Sequence, residues 1–220
     1  MDDLLARTPL FRTLPSTERV ALARGCELRA FRKGEMVLEE GQPATAVWII
    51  TQGGVFLTKR TPRGRSVSIF AMTPVEPICG ISAFDEGVYA ASAVAATEAR
   101  LLRIPAEAFA ELFERHPTFA LQVLRICCQR IRRMAEAISL AQAPVPQRLA
   151  HALLRLHQVF GEDVPITHHE LSDMVGTRWE TSIRTLAEMK RRGWVASSRG
   201  RITILAPHML ETLLVPNGAA

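Results

Sequence analysis

The chain has 220 residues, 48% of them hydrophobic, enough for one large domain or two small ones. Its formal charge of +5 is unevenly placed: residues 1–115 hold 14 basic and 14 acidic side chains, whereas residues 116–220 hold 13 and 8. The cysteines Cys26, Cys79, Cys127 and Cys128 fit no disulfide framework, the acidic start MDDLLARTPL lacks signal-peptide order, and no apolar run nears the ~20 residues of a membrane span, so a cytoplasmic protein is expected.

Residues 3–24 read as short helices, the second starting at Pro15-Ser16. From about 27 to 104 come short apolar or alternating runs: MVLEE, AVWIIT, GVFLTKR, SVSIFAM, ASAVAATE and ARLLRI. Turn signals separate them at Lys33-Gly34, Gly41-Gln42-Pro43, Gly53-Gly54, Pro62-Arg63-Gly64 and Glu86-Gly87. Strands so spaced imply a β-sandwich or barrel. After Pro105 the period becomes helical, and Pro117 opens a segment running to about Ala143 without internal Pro or Gly. There Ala120, Leu124, Cys127, Ile131, Met134, Ile138 and Ala141 recur at alternating steps of four and three, the seam of a coiled coil. A charged back favours a partner helix over a helix packed on its own domain, so self-dimerisation is expected. The sequence APVPQ (143–147) then breaks the helix as a hinge.

The segment RLAHALLRLHQVFG (148–161) is amphipathic. In ITHHELSDMVG (166–176), Thr167 and Glu170 stand at capping-box spacing; Gly176 ends that helix, and Thr177 with Glu180 repeats the pattern for the next. Two short helices joined by a Gly-containing turn make a helix-turn-helix candidate. Two short strands, WVASSRGRITIL (194–205), follow around Ser198-Arg199-Gly200 as a wing. Between 178 and 201 seven basic residues oppose only Glu180 and Glu188. Such local charge favours a polyanion, through phosphate contacts and counterion release; a solvated basic face is the plainer alternative.

With these elements in this order the chain resembles the Crp–Fnr family of bacterial transcription regulators over roughly residues 4–206. The likeness rests on PLFRTLP, KGEMVLEEGQPA, VWIITQGGV, HPTFALQVL, ITHHELSDMVGTRWETSIRTL and GWV…RGRITIL. It implies an α+β fold: a β-roll of the jelly-roll (double-stranded β-helix) type with flanking helices over 1–116, a dimerisation helix over 117–143, and a winged helix-turn-helix over 144–220. It further implies a homodimer that reads a palindromic promoter site in double-stranded DNA with helix 178–192, with RNA polymerase as a further partner. No nucleophile–base pair or metal set accompanies Ser82, Ser92, Asp85 and Glu86, so no enzyme is expected. An adaptor whose basic domain binds protein or RNA is the alternative from another class.

The family's reading core corresponds here to Glu180, Thr181 and Arg184, with Arg178 and Trp179 just before it. Glu180 and Arg184 share one helical face, where Glu can accept from cytosine and Arg can grip guanine O6 and N7. A mere i,i+4 ion pair on a solvated helix is the alternative. Trp179 departs from the family pattern; it can meet thymine methyls or pack back on the preceding helix. Thr167, His168, His169, Lys190, Arg199 and Arg201 are candidates for phosphate contacts. The adjacent histidines diverge at a helix start, and no metal is expected.

For the effector, the stretch matching the family's phosphate cassette keeps Gly80 but follows it with Ile81 and Ser82, and Ala91 and Ser92 close a YAAS run without arginine. A buried phosphate without a cation is strongly disfavoured. Met134 and Ala135 stand where the cyclic-AMP-binding branch has hydroxylated residues, so cyclic AMP is not expected. A four-thiolate iron–sulfur cluster is not expected either, since only Cys26 lies near the N-terminus. Haem stays open, with Cys79 as the candidate axial ligand because all six histidines follow residue 115. A gas, an apolar ligand, a redox response at Cys127, or no effector at all also stay open.

Overall fold

The computed structural model describes residues 1–62, 64, 66–72, 74, 76–78 and 87–214. The chain divides into two compact units, one of residues 1–60 and 72–132, the other of residues 61–71 and 133–220. The fold class read from the sequence holds: a β-sheet domain, long helices and a C-terminal helix-turn-helix. No described helix is long and apolar enough to cross a membrane.

In the first unit, α1 (Asp2–Arg7), a tight turn at Pro9–Phe11 and α2 (Ser16–Gly25) precede the strands β1 (Glu27–Phe31), β2 (Met36–Leu38), β3 (Ala46–Gln52) and β4 (Val55–Arg60). β5 (Ser66–Met72) belongs to the second unit in all but its last residue, and the first unit resumes with β6 (Pro77–Ile78), β7 (Ser92–Ala95), β8 (Ala99–Pro105) and α3 (Ala106–Arg115). Two antiparallel sheets form, in the orders β1-β8-β3-β6 and β2-β7-β4-β5. The run AVWII in β3 is buried throughout, as befits the inner strand of a roll. The tight β3–β4 hairpin requires Gly53: its φ is +80°, and a Cβ there would stand 2.3 Å from the Glu98 carbonyl oxygen.

The core of this unit joins both ends of the sheet domain. Leu5, Leu10, Phe11 and Leu22 from the N-terminal helices pack with Val47, Ile49, Leu102, Ile104, Phe109, Phe119 and Val123. Phe119 is the keystone, 5.7 Å from Phe11 in a stacked pair and 5.3 Å from Phe109 edge-on. Tyr89 pins a loop to β3, donating to the Ala46 carbonyl at 3.0 Å and accepting from its N–H at 3.2 Å.

The helix α4 runs Pro117–Leu140, three residues short of the expected end. It buries Phe119 and Val123 and leaves a row of large apolar side chains in solvent: Leu121 (54% exposed), Leu124 (49%), Ile131 (63%), Met134 (47%) and Ile138 (71%). Ala120 and Cys127, also placed on the seam by spacing, are half-buried, and Cys127 packs on the unit's own core. Cys128 is the exposed thiol of the pair.

In the second unit, α5 (Val145–Phe160) starts within the proline-bearing hinge, with Pro144 as N-cap and Pro146 in its first turn, where a missing N–H costs nothing. It carries Leu149, Ala150, Leu153 and Leu156 inward. The helices α6 (His168–Met174) and α7 (Trp179–Arg191) follow a short β9 (Asp163–Val164). The wing, β10 (Val195–Ser198) and β11 (Arg201–Ile204), pairs antiparallel, and β9 pairs with β11. A final helix, α8 (Pro207–Thr212), buries Leu210.

Candidate nucleic-acid interface

The turn between α6 and α7 sets the reading face. Thr167 caps α6 with a complete capping box: its Oγ1 accepts from the Glu170 N–H at 3.1 Å, and the Glu170 carboxylate accepts from the Thr167 N–H at 2.8 Å. The Thr167 hydroxyl also donates to that carboxylate, so this phosphate candidate is already engaged. The chain then reverses through Gly176 at φ +62°, in the left-handed region that glycine adopts freely. Arg148 of α5 holds the reversal, its Nη1 donating to the carbonyls of Val175 at 2.7 Å and Gly176 at 3.2 Å. Sequence reasoning missed this role, because no spacing rule links residue 148 to a turn 27 positions away.

The next cap differs from expectation. Arg178, not Thr177, is the N-cap of α7, and it makes no side-chain cap bond, so the second capping box does not form. The Thr177 N–H instead bonds the Ser172 carbonyl at 3.0 Å, which carries it one residue outside the helix. Along α7, Ser182, Leu186 and Met189 point inward at helical spacing. Trp179, Glu180 and Arg184 are exposed, Trp179 by 49%. None of these three side chains forms a hydrogen bond, ion pair or ring contact with a described residue. The expected alternative of a Glu180–Arg184 ion pair is therefore not formed, and Trp179 is about half covered with no hydrogen bond or ring contact to a described residue. Thr181 is half-buried beside them.

The basic residues sort by what they touch. Arg191 and Arg192 both pair with Glu188, the latter at 2.6 Å, and Arg192 also lies 5.1 Å over the Trp194 ring. Arg201 pairs with Asp163 at 3.2 Å, and Thr203 donates to the same carboxylate at 2.8 Å, which ties β11 to β9. Arg199, at the wing tip beside Gly200 (φ +71°), and Lys190 are exposed and have no ion-pair partner among the described residues. Burial, then the nearby Lys190 charge, hold the His168 imidazole below its ordinary pKa, so it is neutral near pH 7. His169 lies 3.7 Å from Asp173.

The residues expected around an effector are only partly in view. Cys79, Gly80, Ile81 and Ser82 lie outside the described residues. Ala91 and Ser92 are buried, and the Ser92 Oγ accepts from the Glu40 N–H at 2.9 Å. Close by, Lys59 pairs with Glu40 at 2.7 Å and donates to the Ala90 carbonyl at 2.6 Å. Lys59 and its backbone neighbour hold the Glu40 carboxyl below the usual range. Met134 and Ala135 are exposed on α4.

The chain matches the cyclic nucleotide-binding domain family over residues 28–116 and the Crp-like helix-turn-helix domain family over residues 147–213. It is 31% identical over 204 residues to the CRP-like cAMP-activated global transcriptional regulator of Mycobacterium tuberculosis, covering 89% of this chain and 91% of that one. It is 30% identical over 209 residues to the cyclic AMP receptor protein of Thermus thermophilus, covering 94% and 96%. The crystal structure of a CRP-family transcriptional regulator from Thermus thermophilus matches with a TM-score of 0.71 at 20% identity, covering 84% of this chain and 96% of that one.

Proposed function

The chain belongs to the Crp–Fnr family of DNA-binding transcription regulators, and from that premise we propose that it acts as a homodimer reading a palindromic site without cyclic AMP. The observation that carries the reading is the exposed row at the front of α7. Arg178, Trp179, Glu180 and Arg184 are exposed there, and their side chains make no hydrogen bond, ion pair or ring contact with a described residue. Glu180 and Arg184 present one acceptor and one bidentate donor to base edges in the major groove. Thr181 flanks them, and Trp179 offers an apolar contact for a thymine methyl or a sugar edge. Arg199 at the wing tip and Lys190 supply phosphate contacts that position the helix, with His168 and His169 at the start of α6 beside them. Arg201 contributes by holding the wing.

The exposed stripe on α4 supports self-association. Five large apolar side chains left in solvent on one helix are costly, and a second copy of the helix covers them with like residues. Two protomers related by a two-fold axis then place two copies of α7 on half-sites about one helical turn apart.

Independence from cyclic AMP rests on residues of this chain. Buried Ala91 and Ser92 stand where a phosphate would need a cation, and Ser92 is spent on the Glu40 N–H. The two relatives named above carry cyclic AMP in their names; the departures in the YAAS run set this chain apart from that chemistry. Site selection from a random DNA library, with purified protein and nothing added, tests the reading. Enrichment of a palindrome is expected, and folded dimer that enriches none would overturn it.

A further inference from the structure

Within the second unit alone lies a cavity of about 400 Å³, walled by β5, the last turns of α4, α5, and the end of α6 with its turn. Its volume falls in the range of small-molecule sites. The body of the cavity is apolar, with Phe70, Leu156 and Met174 among its walls. Its charged groups are of one dominant sign, Arg133, Arg148 and Arg155 against Asp173, and His151 stands beside them with its pKa lowered by burial and then by Arg155. The Arg133 guanidinium lies 5.2 Å over the Phe70 ring, at the junction of charge and apolar wall. Such a lining suits a molecule with one anionic end and an apolar body. It offers little to the hydroxyls and ring nitrogens of a nucleotide.

Arg148 gives the cavity its consequence. Its Nη1 clamps the Val175 and Gly176 carbonyls in the turn that leads into α7. Arg148 also lines the cavity, and a guanidinium carries more donors than those two bonds use, so a carboxylate can share it while Nη1 keeps both carbonyls. A ligand seated there would lock Arg148 and stiffen the turn that positions Arg178 and Trp179.

We propose that this cavity binds a small organic anion of the medium-chain carboxylic acid class, and that its occupation tightens DNA binding through Arg148. The binding half stands on the cavity alone; the coupling half rests on the DNA-reading assignment above. Effector coupling of ordinary size would strengthen binding to the selected site about 5- to 150-fold.

The test uses full-length protein, with decanoate as probe and decylamine as its cationic counterpart of equal chain length. Calorimetry without DNA is expected to give saturable decanoate binding, one per protomer, at least about tenfold tighter than decylamine. The Ala137→Trp variant fills the cavity from an exposed position on α4, so its fold is retained, as circular dichroism would verify, and decanoate binding is lost. The Arg148→Lys variant keeps a positive charge but not the fork; it is expected to bind decanoate and to lose the DNA response. Equal binding by decylamine, or by Ala137→Trp, would mean detergent-like adsorption and overturn the site. Decanoate binding with unchanged DNA affinity, or a response that survives in Arg148→Lys, would overturn the coupling. Failure to select any DNA site would sink the DNA-reading assignment and leave the calorimetric result standing.

Discussion

Ile131→Asp probes the α4 stripe most directly. Ile131 is 63% exposed in the isolated chain, so the isolated protomer gains little from it. Covering that fraction of an isoleucine against a partner helix is worth about 1–2 kcal/mol per protomer, and so about 2–4 kcal/mol per dimer. At 1.4 kcal/mol per tenfold, loss of this burial alone weakens association about 30- to 700-fold. The substitution adds to that by bringing two carboxylates together across the two-fold axis in a dehydrated seam. Sedimentation velocity across a concentration series is the assay, with far-UV circular dichroism to show that the protomer keeps its helices. The expected result is a folded monomer at concentrations where the parent chain is expected to associate. An unchanged dimer constant would mean that α4 is not the association surface, and the apolar stripe would need another explanation.

On DNA, Arg184→Ala is expected to cost about 1–3 kcal/mol at the cognate site and to relax one position of the selected motif, read by repeating the selection with the variant. Unaltered preference at every position would refute base reading by α7. Arg199→Ala removes a wing-tip cation, so affinity should fall alike for all sequences and the slope of log K against log salt should shrink by about one; a sequence-dependent loss would place Arg199 at a base edge instead. For the thiols, burial raises the Cys26 pKa to about 11 and raises that of Cys127, while Cys128 is exposed. Alkylation near pH 8 followed by peptide mapping should therefore modify Cys128 before Cys127 and leave Cys26 until unfolding, because the thiolate is the reactive form. Gly53→Ala should destabilise the first unit by more than about 2 kcal/mol in denaturant titration, since the new Cβ meets backbone rather than a movable side chain; near-neutral behaviour would mean the β3–β4 hairpin is not built as described.

Elements with a strong period were legible in the sequence and those without one were not. The helices α4, α5 and α7 declare themselves by apolar spacing, and Thr167-x-x-Glu170 announced the start of α6 because both partners of that cap lie within four residues. The strand β1 escaped because its residues are nearly all exposed and it shows no alternation, and β6 and β9 because two residues carry no period. Spacing also placed Thr177 as a helix cap, yet Thr177 N–H is held by the Ser172 carbonyl, a contact that depends on where the turn lies in space. The same limit applied to the interface. Spacing put Glu180 and Arg184 on one face, but whether they spend themselves on each other is a question of rotamers. Spacing put Arg201 among the phosphate candidates but could not show its tie to Asp163, 38 residues upstream.

Seven basic residues between 178 and 201 suggest a diffuse positive field, but the structure divides them by role. Arg191, Arg192 and Arg201 neutralise Glu188 and Asp163 and so fasten the end of α7 and the wing. Exposed ion pairs of this kind contribute little stability each, and their value lies in orientation. Arg178, Arg184, Lys190 and Arg199 keep their charge available, at the front of α7, at its far end and at the wing tip. Cations at those separate places can meet phosphates or bases at separate points along a duplex, which fixes the direction of a helix in a groove. A single dense patch of the same net charge would bind DNA without aligning anything on it. The divided roles therefore argue for recognition rather than mere adhesion, and charge reversal at Glu188 should disturb sequence preference less than loss of Arg184 while loosening the α7 terminus that Arg191 and Arg192 secure.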